Sequence, residues 1–91
     1  MKFEWDPKKA ASNLAKHGVS FEDATTVFGD QFASTIPDPL HSEDENRFIT
    51  LGLSATGNLV VVVHSERGES VRVISARLAT SGERKRYESK A

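Results

Sequence analysis

The stretch Leu59-Val60-Val61-Val62-Val63-His64-Ser65-Glu66-Arg67-Gly68-Glu69-Ser70-Val71-Arg72-Val73-Ile74-Ser75-Ala76-Arg77 decides the fold. Residues 59–63 are apolar on both faces of an extended chain, which predicts a central strand covered on both sides. The β-branched run over 71–76 predicts its partner, and Arg67-Gly68 supplies the turn, so the stretch reads as a β-hairpin. With Arg67-Gly68 as a two-residue loop, Ser65 faces Ser70, His64 faces Val71 and Val63 faces Arg72. Arg72 then lies on the face of Val61 and Val63, while His64 and Arg77 share the opposite face. A one-residue slip would reverse these faces.

Working outward, Ile49, Leu51 and Leu53 alternate as a strand, and Thr56-Gly57-Asn58 turns it into the hairpin. Residues 32–36 alternate and meet Pro37, which predicts an edge strand. The polar stretch 38–45 reads as a loop. Further upstream the period changes to helical. Asp6-Pro7 starts a helix, Ala10, Ala11, Leu14 and Ala15 form its stripe, and Gly18 closes it with Lys16 and His17 in the last turn. Trp5, just before the cap, is placed to staple onto Ala10. Ser20 and Asp23 resemble a capping box for a second helix carrying Phe21, Ala24, Val27 and Phe28, ended by Gly29-Asp30. Residues 3–5 form a short strand. Thr80 and Glu83 open a final helix to about residue 90, with Tyr87 as its main apolar side chain. The expected fold is α+β: a short N-terminal strand, two helices, a four-stranded antiparallel sheet and a C-terminal helix, in one domain over 1–91.

The 91 residues include no Cys, which excludes a disulfide scaffold and thiolate metal sites. The charged opening is unlike a signal peptide, and the longest apolar run, residues 59–63, is far short of the ~20 residues of a membrane helix. These features predict a cytoplasmic protein with no membrane partner. Net charge is −1, but it is unevenly spread. Residues 1–63 hold five Lys/Arg against nine Asp/Glu, whereas residues 64–91 hold seven against four. The basic end points to an anionic partner or, more plainly, to a solvated terminal helix.

No metal site and no cofactor are expected. His17, His41 and His64 lie 24 and 23 residues apart, so no pair has metalloprotease spacing. The acidic loop with Asp38, His41, Glu43, Asp44 and Glu45 could hold a cation but reads as solvated. Phosphate-binding glycine loops and a nucleophile elbow are absent from the sequence. Metal-free cleavage of RNA is one chemistry that the residues present could serve. Cleaving RNA without a metal needs a base for the 2′-hydroxyl proton, cations for the charge on phosphorus, and an acid for the leaving 5′-oxygen. Histidine suits proton transfer near neutral pH, and arginine suits the phosphate. His64, Arg72 and Arg77 supply both types on one sheet, and Glu83, Arg84 and Tyr87 could approach from the last helix. The plainer readings are a rim histidine and strand arginines paired with glutamates. His17 could simply cap its helix, and Trp5 belongs in the core.

The pieces resemble the BrnT family along nearly the whole chain. Phe3-Glu4-Trp5-Asp6 and Asn13-x-x-Lys16-His17-Gly18-Val19-Ser20-Phe21-Glu22-x-Ala24 resemble its N-terminal signature. Asp38-x-x-His41-Ser42 and Arg47 follow. Val63-His64-x-x-Arg67-Gly68, Arg72-x-Ile74-Ser75-Ala76-Arg77-x-Ala79, Glu83-Arg84 and Tyr87 resemble its C-terminal signature. The resemblance implies a RelE-like fold and the toxin of a type II toxin–antitoxin system. Such a toxin would be a metal-independent endoribonuclease that blocks translation and is neutralised by a BrnA-type antitoxin, with operator DNA reached through that antitoxin. It implies His64, Arg72, Arg77 and Tyr87 as catalytic candidates, and Lys16, His17, Arg67 and Arg84 as substrate-binding ones. The slightly acidic total predicts weak general affinity for RNA, hence a ribosome-presented substrate or a narrow basic groove. The alternative is a non-catalytic interaction module acting with a DNA-binding partner.

Overall fold

The computed structural model describes residues 1–40 and 46–89. His41 and the acidic residues 43–45 lie outside the described residues. Five strands form one sheet in the order β1-β5-β4-β3-β2. They are β1 (Lys2–Glu4), β2 (Ser34–Pro37), β3 (Arg47–Leu53), β4 (Leu59–Arg67) and β5 (Ser70–Leu78). β2 to β5 are antiparallel, as expected, and the N-terminal strand joins them in parallel with β5, making the sheet mixed. Helices α1 (Pro7–His17) and α2 (Phe21–Thr25), with a 3-10 turn over Thr26–Gly29, connect β1 to β2, and α3 (Ser81–Glu88) follows β5.

β4 lies between β3 and β5 and has layers on both faces, as its apolar run requires. On one face Val60 and Val62 join Val73, Ala76, Phe21, Ala24 and Val27 in a core under the two N-terminal helices. On the other, Val61 and Leu59 join Leu51, and Tyr87 of α3 packs over them. The local signals hold at the helix ends. The Asp6 carboxylate accepts from Lys8 N at 2.9 Å. Gly18 leaves α1 with a φ of 70°, a conformation that favours glycine. Thr80 and Glu83 complete a capping box.

Two expectations change. The first concerns α1, whose anticipated stripe is largely solvent-facing: Ala11, Leu14 and Ala15 are exposed. Its buried residue is Asn13. The Asn13 amide donates to Val19 O at 3.0 Å and Ala76 O at 2.8 Å and accepts from Ala76 N at 3.1 Å. β1 pairs with β5 only as far as Arg72. Asn13 meets the open backbone of β5 beyond that point, so α1 docks through hydrogen bonds at the strand edge rather than through Leu14.

The second concerns the hairpin. Its two-residue loop is Gly68-Glu69, not Arg67-Gly68: Arg67 pairs with Ser70, Ser65 with Arg72 and His64 with Val73. Gly68 takes a φ of 59° and makes the tight turn possible. A β-bulge at the Val63/His64 step then shifts the register, and Val63 faces Ser75 and Val61 faces Arg77. Ile74 is the extra residue. His64 and Arg77 therefore do not share a face. His64 packs under the N-terminal helices, and Arg77 lies on the α3 side opposite Val61. The bulge reverses the strand's alternation, so Arg72 and Arg77, five positions apart, emerge on the same side.

Candidate nucleic-acid interface

α3 covers only one end of the sheet face on which Arg72 and Arg77 stand. At the other end Arg47, Ser65 and Arg72 form a cross-strand row over β3, β4 and β5. A cleft of about 330 Å³ opens there, lined by Lys9, Arg47, Ser65, Arg67, Arg72 and Ile74. A second cleft of about 210 Å³, lined by Lys9, Ser12, Asn13, Lys16, His17, Ile74 and Ser75, shares Lys9 and Ile74 with the first. The two adjoin at Lys9 and Ile74 and are taken together as one groove along the outer margin of β5, where β1 ends early and α1 stands beside it. Among the described residues, the lining of this groove holds Lys9, Lys16, Arg47, Arg67 and Arg72 and no carboxylate. Asp38, buried beside Arg47, approaches its Nε at 4.0 Å and steadies it by charge. Four residues expected to meet RNA are thus brought together: Lys16, His17, Arg67 and Arg72. Lys9 and Arg47 line the groove as well and were not among the expected residues; Lys9 has only a charge to signal it, and its position depends on the docking of α1.

The remaining candidates stand elsewhere. His64 is 3% exposed. Its ring lies edge-on to Phe28, with centroids 4.9 Å apart, and is stacked with Phe48 at 6.0 Å. Nε2 and Thr50 Oγ1 are hydrogen bonded at 2.7 Å, and Thr50 Oγ1 and Thr35 Oγ1 at 2.7 Å. Nδ1 is buried and makes no hydrogen bond. An unmet lone pair costs less than an unmet N–H, so we assign the proton to Nε2, donating to Thr50. Burial pushes the pKa of His64 down to about 4, because the charged ring would lose its hydration.

Arg77 forms a two-pronged pair with Glu83, at 2.8 and 2.9 Å. The guanidinium, together with the backbone N–H of Thr80, holds the Glu83 carboxyl down at about 2. Tyr87 donates to Asp30 Oδ2 at 2.5 Å, and the carboxylate raises the phenol to about 12. Both contacts tie α3 down. Arg84 is exposed on α3. Around Arg77 lies a third cleft of about 230 Å³, lined by Ser34, Ile36, Pro39, Ile49, Leu51, Val61, Arg77, Glu83 and Arg86. Among the described residues no cluster of three or more His, Asp or Glu is placed to hold a metal, and no helix is long and apolar enough to cross a membrane.

A profile of the family described as "Ribonuclease toxin, BrnT, of type II toxin-antitoxin system" matches residues 5–83. The crystal structure of the Brucella abortus ribonuclease toxin, BrnT, superposes with a TM-score of 0.70 at 28% identity, over 89% of this chain and 99% of that one. No match is found among curated proteins. These likenesses define the class: the protein is a toxin of a type II toxin–antitoxin system. Within that class the chain belongs to the BrnT family.

Proposed function

We propose that this toxin is a metal-independent endoribonuclease of the cytoplasm, that its cleavage of RNA blocks translation, and that the groove between α1 and the β5 margin holds the RNA. The observation that carries the reading is the composition of that groove: among the described residues that line it are five Lys and Arg side chains and an exposed histidine, and no carboxylate. The family description and the Brucella toxin's title, both of which name a ribonuclease, support the activity.

The groove provides a base and the cations that metal-free cleavage needs, and solvent water serves as the acid. Arg67 and Arg72 carry permanent charge and present flat donor forks to phosphate oxygens. They would stabilise the extra negative charge as the 2′-oxygen bonds to phosphorus. Lys9 and Lys16 hold neighbouring phosphates as point charges and set the register of the strand. His17 stands at the end of α1 in the same groove, and its neutral imidazole takes the 2′-hydroxyl proton. The phosphorus–5′-oxygen bond then breaks, the leaving oxygen takes a proton from water, and the products end in a 2′,3′-cyclic phosphate and a 5′-hydroxyl. His64, Arg77 and Tyr87 act in this reading by shaping the domain: His64 inside the core, Arg77 and Tyr87 by seating α3. Neutralisation by a BrnA-type antitoxin, which reaches operator DNA in turn, completes the assignment.

The test is cleavage of labelled RNA, free and on translating ribosomes, in excess chelator. Wild type should cut and leave cyclic phosphate ends. His17→Ala should cut about 10²–10⁴-fold more slowly. Arg72→Ala should also lose most activity. A folded His17→Ala protein that cuts at the wild-type rate would remove His17 from the chemistry.

A further inference from the structure

The third cleft plays no part in the RNA reading. Its floor is two cross-strand rows on the α3 side of the sheet. One runs from Ile36 to Ile49, and the other joins Leu51 to Val61. Pro39 closes one side, and Arg86 stands at its rim with α3. Ile36 remains 51% exposed although it faces this apolar floor. We infer that this groove docks an apolar segment with acidic flanks from a partner protein, the antitoxin that a toxin of this class is paired with. The inference rests on the toxin–antitoxin class and is independent of the RNA groove.

Three features select this occupant. The floor is aliphatic, and none of the described residues that line the cleft is aromatic, so unstacked RNA bases would find no platform among them. Aliphatic side chains of a protein segment match it by simple burial. Next, α3 exposes Arg84, Lys85 and Arg86 in succession. A carboxylate beside the inserted apolar side chain would meet Arg86, whereas Arg77 is already satisfied by Glu83. Last, a second copy of this chain is disfavoured, because a two-fold contact would set the same basic helix against itself.

Binding of the purified cognate antitoxin to the full toxin tests this. Ile36→Glu and Arg86→Glu should each weaken binding at least tenfold, while Arg67→Glu, in the RNA groove, leaves it unchanged. Thermal melting confirms that each variant is folded, and Arg86→Glu, on an exposed helix position, carries the test if Ile36→Glu is not. Unchanged antitoxin binding by the two groove variants overturns the inference. So does loss of RNA cleavage by these variants with antitoxin binding intact, which would make the cleft an RNA subsite. Conversion of a wild-type dimer to a monomer by either variant, with antitoxin binding intact, would assign it to self-association instead. A toxin inactive on RNA would defeat the ribonuclease reading alone, since antitoxin binding is read separately.

Discussion

His64 shows how a residue with the right chemistry can sit in a place that suppresses it. The type was plain in the sequence, but its protonation depends on Phe28 and Phe48, which flank it from the 3-10 turn and β3. Its folded pKa of about 4 lies below the ordinary histidine value of 6.5. Between those limits the unfolded chain takes up a proton that the folded chain refuses, so stability falls as pH drops from 6.5 to 4. A depression of this size is worth roughly 3 kcal/mol across the full window. Urea unfolding between pH 7 and pH 5 should show the decline, and His64→Gln should flatten it. Asn13 is the converse case, a polar residue that periodicity assigns to the surface and that hydrogen bonding buries. Its three bonds reach residues 6 and 63 positions away, a distance that no local signal encodes. Asn13→Ala strands a buried N–H and two carbonyls and should cost about 2–4 kcal/mol in chemical denaturation. A loss below 0.5 kcal/mol would mean that water replaces the amide.

At the scale of elements, caps and turns were readable because they are local. Asp6, Ser20, Thr80 and the Gly18 exit all act within a few residues of their own position. The bulge was not, because an extra residue leaves no mark in an apolar alternating strand. It decides which of the arginines share a surface. Deleting Ile74 removes the extra residue and leaves Arg72 and Arg77 four positions apart, so every cross-strand pair is kept, both arginines stay on one side, and the variant should fold with a regular ladder. Circular dichroism should show the native sheet, and an unfolded or insoluble variant would contradict this. α3 was expected to need outside support, and it has no buried residue of its own. Tyr87 is the only tyrosine in the chain, so its ultraviolet titration reports the anchoring directly. The midpoint should lie near 12 and return toward 10 in Asp30→Asn. The phenol's contribution to stability is complete below pH 10 and lost as pH rises through 12.

For the whole molecule, net charge concealed what matters, which is where the charges meet. The basic C-terminal half was visible in the sequence, yet the groove draws Lys9 and Lys16 from the acidic half and leaves Arg84 outside. RNA binding should therefore depend on salt despite the total of −1. With about four phosphates held, log affinity should fall with log salt at a slope of about −3, and Arg72→Gln should make the slope shallower by nearly one phosphate. A flat salt dependence would argue against the groove. The side-chain amide of Asn13 has a consequence for association between chains as well as for folding. Where β1 stops, the backbone of β5 would present a bare strand margin, the kind of template on which chains add to one another and grow into fibrils. By occupying both polar groups of Ala76, a helix stands in for a missing strand and blunts that margin. A single carboxamide would in this way keep the chain from self-templated aggregation at that margin.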